Sequence, residues 1–238
     1  MEPKSIILAV IVILVIFLII NTLTSKSNTL SSMQDGNVEK IIPASDLSSS
    51  TNNTSNFTYS VWFYIEDWTY RYGQEKVILT RMDQDRNPSP QIALGAFQNN
   101  LNVSLQTYPD GSNTDTSSVS QTHNCNIKNV PIQSWVNALI SVNGRTLDVY
   151  IDGKLVRTCV MPGVARIAAN APVIITPGGG FSGYTAEIKY WPNATNPQEA
   201  WNIYRGGYGG SILGNLFNKY RIKVAFLEDN KEQSSFEI

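Results

Sequence analysis

Short apolar runs that recur between turn residues constrain the fold of this chain more than any other feature of its sequence. The clearest run, FTYSVWFYIEDW at 57–68, alternates large apolar residues on one face of an extended segment from Phe57 to Ile65. Further runs of strand length lie at 76–81, 91–97, 101–107, 135–142, 147–151, 155–159, 173–176 and 184–190. Short runs at this spacing predict an all-β sandwich or barrel.

Two dipeptides between neighbouring runs predict hairpin turns. Asn143-Gly144 and Asp152-Gly153 tolerate the positive φ that a type I′ turn requires at both central residues. The three runs between residues 135 and 159 are therefore expected to form consecutive antiparallel strands.

One segment carries helical signals. In NPQEAWNIY, Asn196 is placed as an N-cap and Pro197 lies in the first turn, while Gly206-Gly207 would end the helix. These signals predict a short surface helix. Beyond it, charged and apolar residues alternate at 219–226, which predicts a last strand that closes the domain with its charges outward.

An unbroken apolar run occupies residues 6–20 near the N terminus. As a helix, residues 5–23 would span roughly 28 Å, close to the hydrocarbon thickness of a bilayer. A cleaved secretory signal is the alternative, since Lys4 provides a short charged region, but no A-x-A-like site follows. We expect an uncleaved, single-pass membrane anchor at 1–24 that contacts the lipid bilayer through residues 5–23.

The segment 25–56 is dominated by Ser, Thr and Asn, with isolated Ile41, Ile42 and Leu47 and no sustained period. Such a segment buries too little apolar surface to offset the roughly 1–2 kcal/mol per residue that ordering costs. We expect a flexible linker here, unless a partner holds it, and a folded domain at 57–238.

The charge balance is nearly even, with 18 Lys and Arg residues against 19 Asp and Glu residues. No global field favours a polyanion, so we expect no nucleic-acid partner. Two cysteines and one histidine cannot form a structural zinc site with the usual spacing, and we expect neither a metal nor a cofactor.

One acidic segment imitates a calcium loop only in part. Asp83, Asp85 and Asn87 match the start of an EF-hand loop. Pro88 replaces the required glycine, however, and Leu94 occupies the bidentate position. A calcium site there would rest on family analogy alone.

The sequence lacks the groups that a hydrolase would need. His123 is the sole histidine, and no nucleophile signature lies near it. Retaining glycosidases align paired carboxylates, whereas Glu66 and Asp67 are adjacent and point to opposite sides, and Glu187 stands alone. We therefore expect a protein that is not an enzyme, and a degenerate glycosidase is the least favoured alternative.

Cys125 and Cys159 are the only cysteines. One precedes the run at 135–142 and the other ends the run at 155–159, so a three-strand meander could bring them together. We expect a disulfide, which would contribute roughly 3–4 kcal/mol on the chain-entropy model. The alternative is two reduced, buried thiols, which assembly in the cytosol would favour.

Aromatic loop residues are the best candidates for contact with a carbohydrate or another partner, because sugar rings stack on Trp and Tyr faces. Trp68, Tyr70 and Tyr72 are spaced by two, which would place them on one face of an extended segment. Sandwich packing is the plain alternative for these side chains.

Five N-x-S/T sequons would matter if the chain passed through a secretory lumen. They lie at Asn52, Asn53, Asn56, Asn102 and Asn193. In a chain rich in Asn and Ser, several such motifs arise by chance.

Three segments resemble the concanavalin A-like, laminin-G-like family. The central one, WVNALISVNGRTLDVYIDGKLV at 135–156, resembles the family pattern in which a Trp-led strand, a glycine turn and a second strand end in Asp-Gly-Lys. Residues 57–68 resemble its early core strand, and 181–191 its late strand before a short helix. This resemblance covers most of 57–226 and implies an antiparallel jelly-roll sandwich.

A narrower resemblance rests on NPQEAWNIYRGGYGGS and the two cysteines. These features are similar to membrane-anchored laminin-G-like proteins of large DNA viruses that infect algae and protists. The similarity implies a minor capsid or virion membrane protein, located at the interface between the inner membrane and the capsid. We accordingly expect a non-catalytic structural component that binds other capsid or membrane proteins; the alternative is a surface lectin-like protein that binds carbohydrate.

Overall fold

The computed structural model describes residues 28–47, 55–109, 121–209, 223–228 and 231–237. In chain order the elements of these residues are β1 (Thr29–Ser31), β2 (Gln34–Asp35), β3 (Lys40–Ile42), β4 (Phe57–Asp67), β5 (Lys76–Met82), β6 (Pro88–Leu94), β7 (Leu101–Thr107), β8 (Gln121–Ile127), β9 (Trp135–Asn143), β10 (Thr146–Ile151), β11 (Lys154–Val160), β12 (Val173–Ile175), β13 (Ser182–Trp191), α1 (Pro197–Arg205), β14 (Lys223–Glu228) and β15 (Lys231–Glu237). Two short 3-10 turns lie at Ala44–Asp46 and Pro177–Gly179.

The strands form two antiparallel sheets that pack face to face as a jelly-roll sandwich. One sheet has seven strands, in the order β1-β13-β4-β9-β10-β11, with β2 also paired to β13. The other has six, in the order β3-β12-β5-β6-β7-β8. Side chains of both sheets, Phe63 of β4 and Ile92 of β6 among them, meet in one continuous core. The predicted all-β jelly roll with one short helix is confirmed.

The strand β4 lies in the middle of the seven-stranded sheet, between β13 and β9. Its odd positions from Phe57 to Ile65 face the core and are at most 2% exposed, as the alternation predicts. Its even positions from Thr58 to Trp62 are also buried, on the outer face of the sheet. The Thr58 hydroxyl donates to the backbone oxygen of Asn193 (2.7 Å), so the chain that follows β13 covers this outer face.

The N-terminal segment differs from the expected linker. β1 and β2 pair with β13 in one sheet, whereas β3 pairs with β12 in the other. Ile42 is buried in the core, and the Lys40 ammonium donates to the Ser31 hydroxyl (3.0 Å). The expectation of a flexible linker is wrong for 28–47, because strand pairing with the sandwich satisfies backbone groups that the local sequence alone would leave in water.

The predicted hairpins form, one of them with a shift of one residue. Asp152 and Gly153 have φ of 50° and 72° and connect β10 to β11, as a type I′ turn requires. In the earlier hairpin, Asn143 still pairs with Thr146, so the turn begins one residue later than expected. Of its two central residues only Gly144, with φ of 57°, has positive φ.

The helix α1 begins and ends as the sequence predicts. The Asn196 side chain accepts a hydrogen bond from the Glu199 backbone N–H (2.9 Å), and the Glu199 carboxylate accepts one from the Asn196 backbone N–H (3.2 Å). This reciprocal capping box satisfies two donors that would otherwise be unpaired at the helix start. Ala200 then packs α1 against Leu139 and Tyr150 on the outer face of the seven-stranded sheet.

The sequence pattern did not predict β8, whose residues QTHNCNI are mostly polar. Only Cys125 and Ile127 of this strand are buried. β8 pairs with β7 along its whole length, from Gln121 opposite Thr107 to Ile127 opposite Leu101. Its strand conformation therefore depends on the ladder with β7 rather than on its own apolar content.

The disulfide between Cys125 and Cys159 is present, with Cα atoms 6.1 Å apart. This separation lies within the range that a disulfide can bridge, so the predicted pairing is confirmed. The expectation that the three-strand meander brings the two cysteines together is wrong, however. Cys125 lies on β8 of the six-stranded sheet and not at the entrance to the meander. The bond joins β8 and β11, the edge strands of the two sheets.

The last predicted strand has a different partner from the one expected. β14 begins at Lys223 and pairs with β15 in a separate sheet of two strands. Within the described ranges, its ladder is therefore formed with its neighbour in sequence and not with the sandwich. A hairpin partner a few residues away forms more readily than a distant one because its loop closure costs less entropy.

The predicted anchor at 1–24 lies outside the described residues. Among the residues that the structure does describe, no helix has the length and apolar character needed to cross a membrane. The anchor stays a prediction from the sequence.

Candidate functional site

Trp68, the first of the three aromatic residues predicted to share a contact face, takes part in core packing. The chain leaves β4 after Asp67 and turns from Trp68 to Gly73. The Trp68 ring packs against the core, and the Lys76 ammonium lies 4.4 Å from its centre. Burial, and secondly the Arg71 charge, lower the pKa of the Lys76 ammonium. The plain alternative of sandwich packing therefore describes Trp68.

Tyr70 and Tyr72 have separate surroundings. The Tyr70 hydroxyl donates to the backbone oxygen of Gly179 (3.0 Å) and so holds one loop to another. Tyr72 is 61% exposed and packs edge-on against Phe97. The expectation of a shared face is wrong because a spacing of two defines a face only in an extended chain. Ligand contact by these residues stays a prediction.

A larger aromatic surface lies on the outer face of the seven-stranded sheet. It consists of seven rings, which we call the aromatic strip: Trp62, Tyr64, Trp135, Tyr184, Trp201, Tyr204 and Tyr208. Each ring contacts the next, with centroid separations between 4.4 and 6.5 Å, in the order Tyr184, Tyr64, Trp135, Tyr208, Trp62, Tyr204 and Trp201. None of these side chains was among the sites predicted from the sequence.

Strand register builds the first half of the aromatic strip. Tyr64 of β4 lies directly opposite Trp135 of β9 on one side and Tyr184 of β13 on the other. Cross-strand partners share a face of the sheet, so the three rings form a row across three strands. Their centroids are 5.8 Å and 6.5 Å from that of Tyr64.

The helix α1 builds the second half. Trp62, two residues before Tyr64 on β4, lies opposite the small residues Asn137 and Ala186, which leaves space above its ring. Tyr204 fills that space in a stacked arrangement, with centroids 5.5 Å apart. Trp201, one helical turn earlier, contacts Tyr204 at 5.4 Å.

Tyr208, just beyond α1, joins the two halves. Its ring stacks on Trp135 with centroids 4.4 Å apart and an angle of 12° between the planes. Its edge meets Trp62 at 5.5 Å. Glycine at position 153 contributes as well, because a β-carbon there would lie 2.9 Å from atoms of Trp201 and Tyr204. The β10–β11 turn can therefore approach the helix closely.

The aromatic strip combines exposed rings with hydrogen-bond acceptors. Trp201, Tyr184 and Tyr208 are 38%, 39% and 40% exposed. At the Tyr184 end, exposed Asp35 lies opposite Tyr184 in register, and exposed Glu66 follows Tyr64 by two residues, where the register of β4 and β13 shifts. Such a surface can stack on the apolar face of a ring and accept hydrogen bonds from hydroxyl groups.

The residues considered for catalysis lie on three different strands. Asp67 on β4 accepts hydrogen bonds from the side chain and backbone of Thr69, which hold the pKa of its carboxyl below the usual value. Glu187 on β13 forms an ion pair with Lys189 (2.8 Å). His123 lies on β8, in the other sheet. The structure does not bring these groups together.

Asp83 accepts hydrogen bonds that support the turn between β5 and β6. Burial tends to raise the pKa of its carboxyl, but hydrogen bonds from Asn87 and Asp85 hold that pKa below the usual value. The turn borders a recess of about 640 Å³ that Gln106 and Arg166 also line. The described residues contain no group of three or more His, Cys, Asp or Glu side chains placed to hold a metal ion.

The described sequons differ in accessibility. Asn193 is exposed on the chain after β13. The side chains of Asn56 and Asn102 are each engaged in hydrogen bonds. Asn52 and Asn53 lie outside the described residues.

A model of the concanavalin A-like lectin/glucanase superfamily matches residues 39–200. This match covers well over half of the chain and extends from β3 into the first four residues of α1. A comparison with curated protein sequences finds no match.

Solved structures with a similar fold include receptor-binding domains of botulinum neurotoxins. That of botulinum neurotoxin D has a TM-score of 0.54 and 12% identity, over 75% of this chain and 44% of that one. That of the C/D mosaic serotype has a TM-score of 0.52 and 12% identity, over 75% and 43% of the two chains. The present chain thus spans a little under half the length of these structures, and the likeness extends to the fold alone.

Proposed function

The chain belongs to the concanavalin A-like lectin/glucanase superfamily, and from this premise we propose that it is a non-catalytic, lectin-like module that binds a carbohydrate on the aromatic strip. The observation that carries the proposal is the row of half-exposed rings across β13, β4 and β9, extended by α1. A fold alone does not fix function, so the surface chemistry bears the argument.

Stacking is the interaction that this surface favours. The three exposed rings of Tyr184, Tyr208 and Trp201 offer apolar faces, and the packing beneath them already fixes their positions. Rigid platforms lose little conformational entropy when a ligand binds. Asp35 and Glu66 supply acceptors at one end, which suits a ligand with apolar ring faces and peripheral hydroxyl groups.

A catalytic role has less support. Glycoside hydrolysis requires two carboxyl groups that flank one bond, about 5–10 Å apart depending on mechanism. The Asp67 carboxylate is held by Thr69 and that of Glu187 by Lys189, outside any common cleft. We therefore propose a binding protein in place of a glycosidase.

The apolar run at 5–23 supports a location at a membrane. A lectin-like module anchored there would present its strip to glycans near the membrane surface. The sequence resemblance to virion proteins supports a second candidate, a structural component at the membrane and capsid interface of a large DNA virus. In that case the aromatic strip would contact another capsid or membrane protein.

A glycan array probed with the full chain in detergent micelles tests the first candidate. We expect binding of at least one glycan class, and we expect Tyr184→Ala and Tyr208→Ala each to weaken it about fivefold to tenfold through lost stacking. Tyr72→Ala is the matched control, because Tyr72 is an exposed aromatic residue outside the strip.

Two results would count against glycan binding at the strip. One is an array without any bound glycan at high protein density. The other is a glycan whose affinity falls in Tyr72→Ala and not in Tyr208→Ala. A cross-linkable residue placed in the strip could instead form a specific cross-link to a capsid protein in intact particles. That result would favour the structural candidate.

A further inference from the structure

The strand β11 lies at one edge of the seven-stranded sheet. Within the described part of the chain it pairs with β10 on one side only, and six of its seven residues are exposed. Among them are apolar side chains: Leu155, Val156 and Val160 are 48%, 49% and 69% exposed. An edge strand of this kind offers unpaired backbone N–H and C=O groups to an added strand.

A groove of about 390 Å³ lies beside this edge. Its apolar lining includes Val130, Ile151 and Val156, and its charged lining consists of Lys128 and Arg157. None of the nine residues that line the groove carries a carboxylate. Lys154, at the start of β11, adds a third exposed cation to the same edge.

Two contacts within the chain hold β11 in position in the absence of a partner. The disulfide from Cys159 to Cys125 fixes β11 to β8 of the other sheet. The Arg157 guanidinium also donates to the backbone oxygen of Asn126 on β8 (2.6 Å). A prepositioned strand loses less entropy on binding than a mobile one.

We propose that β11 and its groove bind an extended peptide with alternating acidic and apolar side chains, which adds to the sheet as a further strand. Apolar side chains of the peptide would occupy the groove, and its carboxylates would face Lys128, Lys154 and Arg157. This interaction is separate from glycan binding, because it uses the β11 edge, whereas the aromatic strip lies on the outer face of the sheet.

Charge decides between this partner and a second copy of the chain. Antiparallel pairing of β11 with itself would place two copies each of Lys154 and Arg157 on one ladder, with no carboxylate on either strand. A sulfated or carboxylated glycan would satisfy the cations, but it would leave the backbone groups of the edge and the apolar lining unused. A strand with acidic and apolar side chains would pair with the cations, the backbone groups of the edge and the apolar lining.

The test uses the full chain in detergent and a fluorescently labelled peptide of four Glu-Val repeats. We expect saturable binding, together with slower hydrogen exchange of the β11 amides. We expect the double variant Lys128→Glu/Lys154→Glu to weaken the affinity about tenfold or more. The side chains of both lysines are exposed, and neither makes a hydrogen bond or ion pair within the described part of the chain, so the fold should survive these changes. Arg86→Glu, an exposed charge reversal in the β5–β6 turn, is the matched control and should leave the affinity unchanged.

Four outcomes would overturn the proposal. The first is absence of peptide binding at millimolar concentration, and the second is binding without protection of β11. The third is equal binding of a peptide in which Lys replaces every Glu. The last is binding of a heparin oligosaccharide, weakened by Lys128→Glu/Lys154→Glu, in the absence of any peptide binding. Failure of glycan binding in the array leaves this proposal intact, since the aromatic strip takes no part in it.

Discussion

The aromatic strip and the turn that carries Trp68, Tyr70 and Tyr72 are both rich in aromatic residues, yet only the strip forms a continuous surface. In the strip, cross-strand register places Tyr184, Tyr64 and Trp135 side by side. In the turn, neighbouring aromatic residues serve different purposes, from core packing to a hydrogen bond between loops. Aromatic residues close in sequence therefore make a binding face only where a regular backbone aligns them.

The largest difference in stability between the strip and the turn is expected for a change at Trp62, the most buried ring of the strip. Trp62 is 5% exposed, and both Tyr204 and Tyr208 pack on it. Trp62→Ala should lower the free energy of unfolding by about 3–5 kcal/mol, because it leaves a cavity under two rings. Denaturant titration measures this value. Trp68→Ala is the comparison, and its cost should be smaller because Trp68 is only partly buried.

Glycan binding by these two variants sharpens the contrast. Folded Trp62→Ala protein should bind glycan more weakly than the parent, whereas Trp68→Ala should bind equally well. The reverse pattern would show that the turn, not the strip, is the contact surface.

Removal of the disulfide is expected to cause the next largest loss of stability. The double variant Cys125→Ser/Cys159→Ser opens a loop with a sequence separation of 34, which corresponds to a loss of roughly 3–4 kcal/mol on the chain-entropy model. The thermal midpoint should fall with reductant in the parent and not in the variant. Glycan binding should persist below the midpoint, because the sheet part of the strip lies on β4, β9 and β13. Loss of binding in a folded variant would contradict that assignment.

Alkaline pH should weaken the packing on the inner face of β4 and β13, where two tyrosine side chains are buried. Burial raises the pKa of the Tyr59 and Tyr190 phenols, and the Arg81 charge offsets this only in part. Unfolded tyrosine loses its proton near pH 10, while the folded protein keeps both protons to higher pH. Stability is therefore fully present below about pH 10 and is lost as the pH rises above it. Tyr59→Phe should flatten this decline, which unfolding curves between pH 8 and 11.5 would measure; an unchanged decline would contradict the assignment to Tyr59.

The smallest effect is expected at Tyr72. Its ring is 61% exposed and contacts Phe97 at the surface. Tyr72→Ala should change the free energy of unfolding by no more than about 0.5 kcal/mol. A thermal midpoint several degrees below that of the parent would show that the turn bears more of the structure than its exposure indicates.

The parts of the fold that the sequence predicts are those with local signals. The alternation in β4, the Asp152-Gly153 turn and the Asn196 cap each depend on residues a few positions apart. The parts that it does not predict are β1 to β3, which have only two or three residues each, and the mostly polar β8; their order comes from a ladder with another strand. Propensity contains no information about that partner.

The same reasoning explains why the strip was not predicted. Its rings come from β4, β9, β13 and the end of α1, and only the register brings them together. One local signal was available: Trp62 and Tyr64 alternate with core residues, which places large aromatic rings on the second face of β4 as well. A strand with two such faces needs a cover on each side, and the outer cover is where the strip lies.

If the predicted anchor spans a bilayer, the pairing of β1 with β13 also limits the distance between the sandwich and the lipid surface. If residues 5–23 lie in the membrane, only residues 24–28 connect them to Thr29, the first residue of the sheet. Five residues reach at most about 17 Å when fully extended. The connection would then be short, and it would enter the sheet at the strand next to the one that carries Tyr184. On this premise, any partner of the strip would have to come within a few nanometres of the lipid surface.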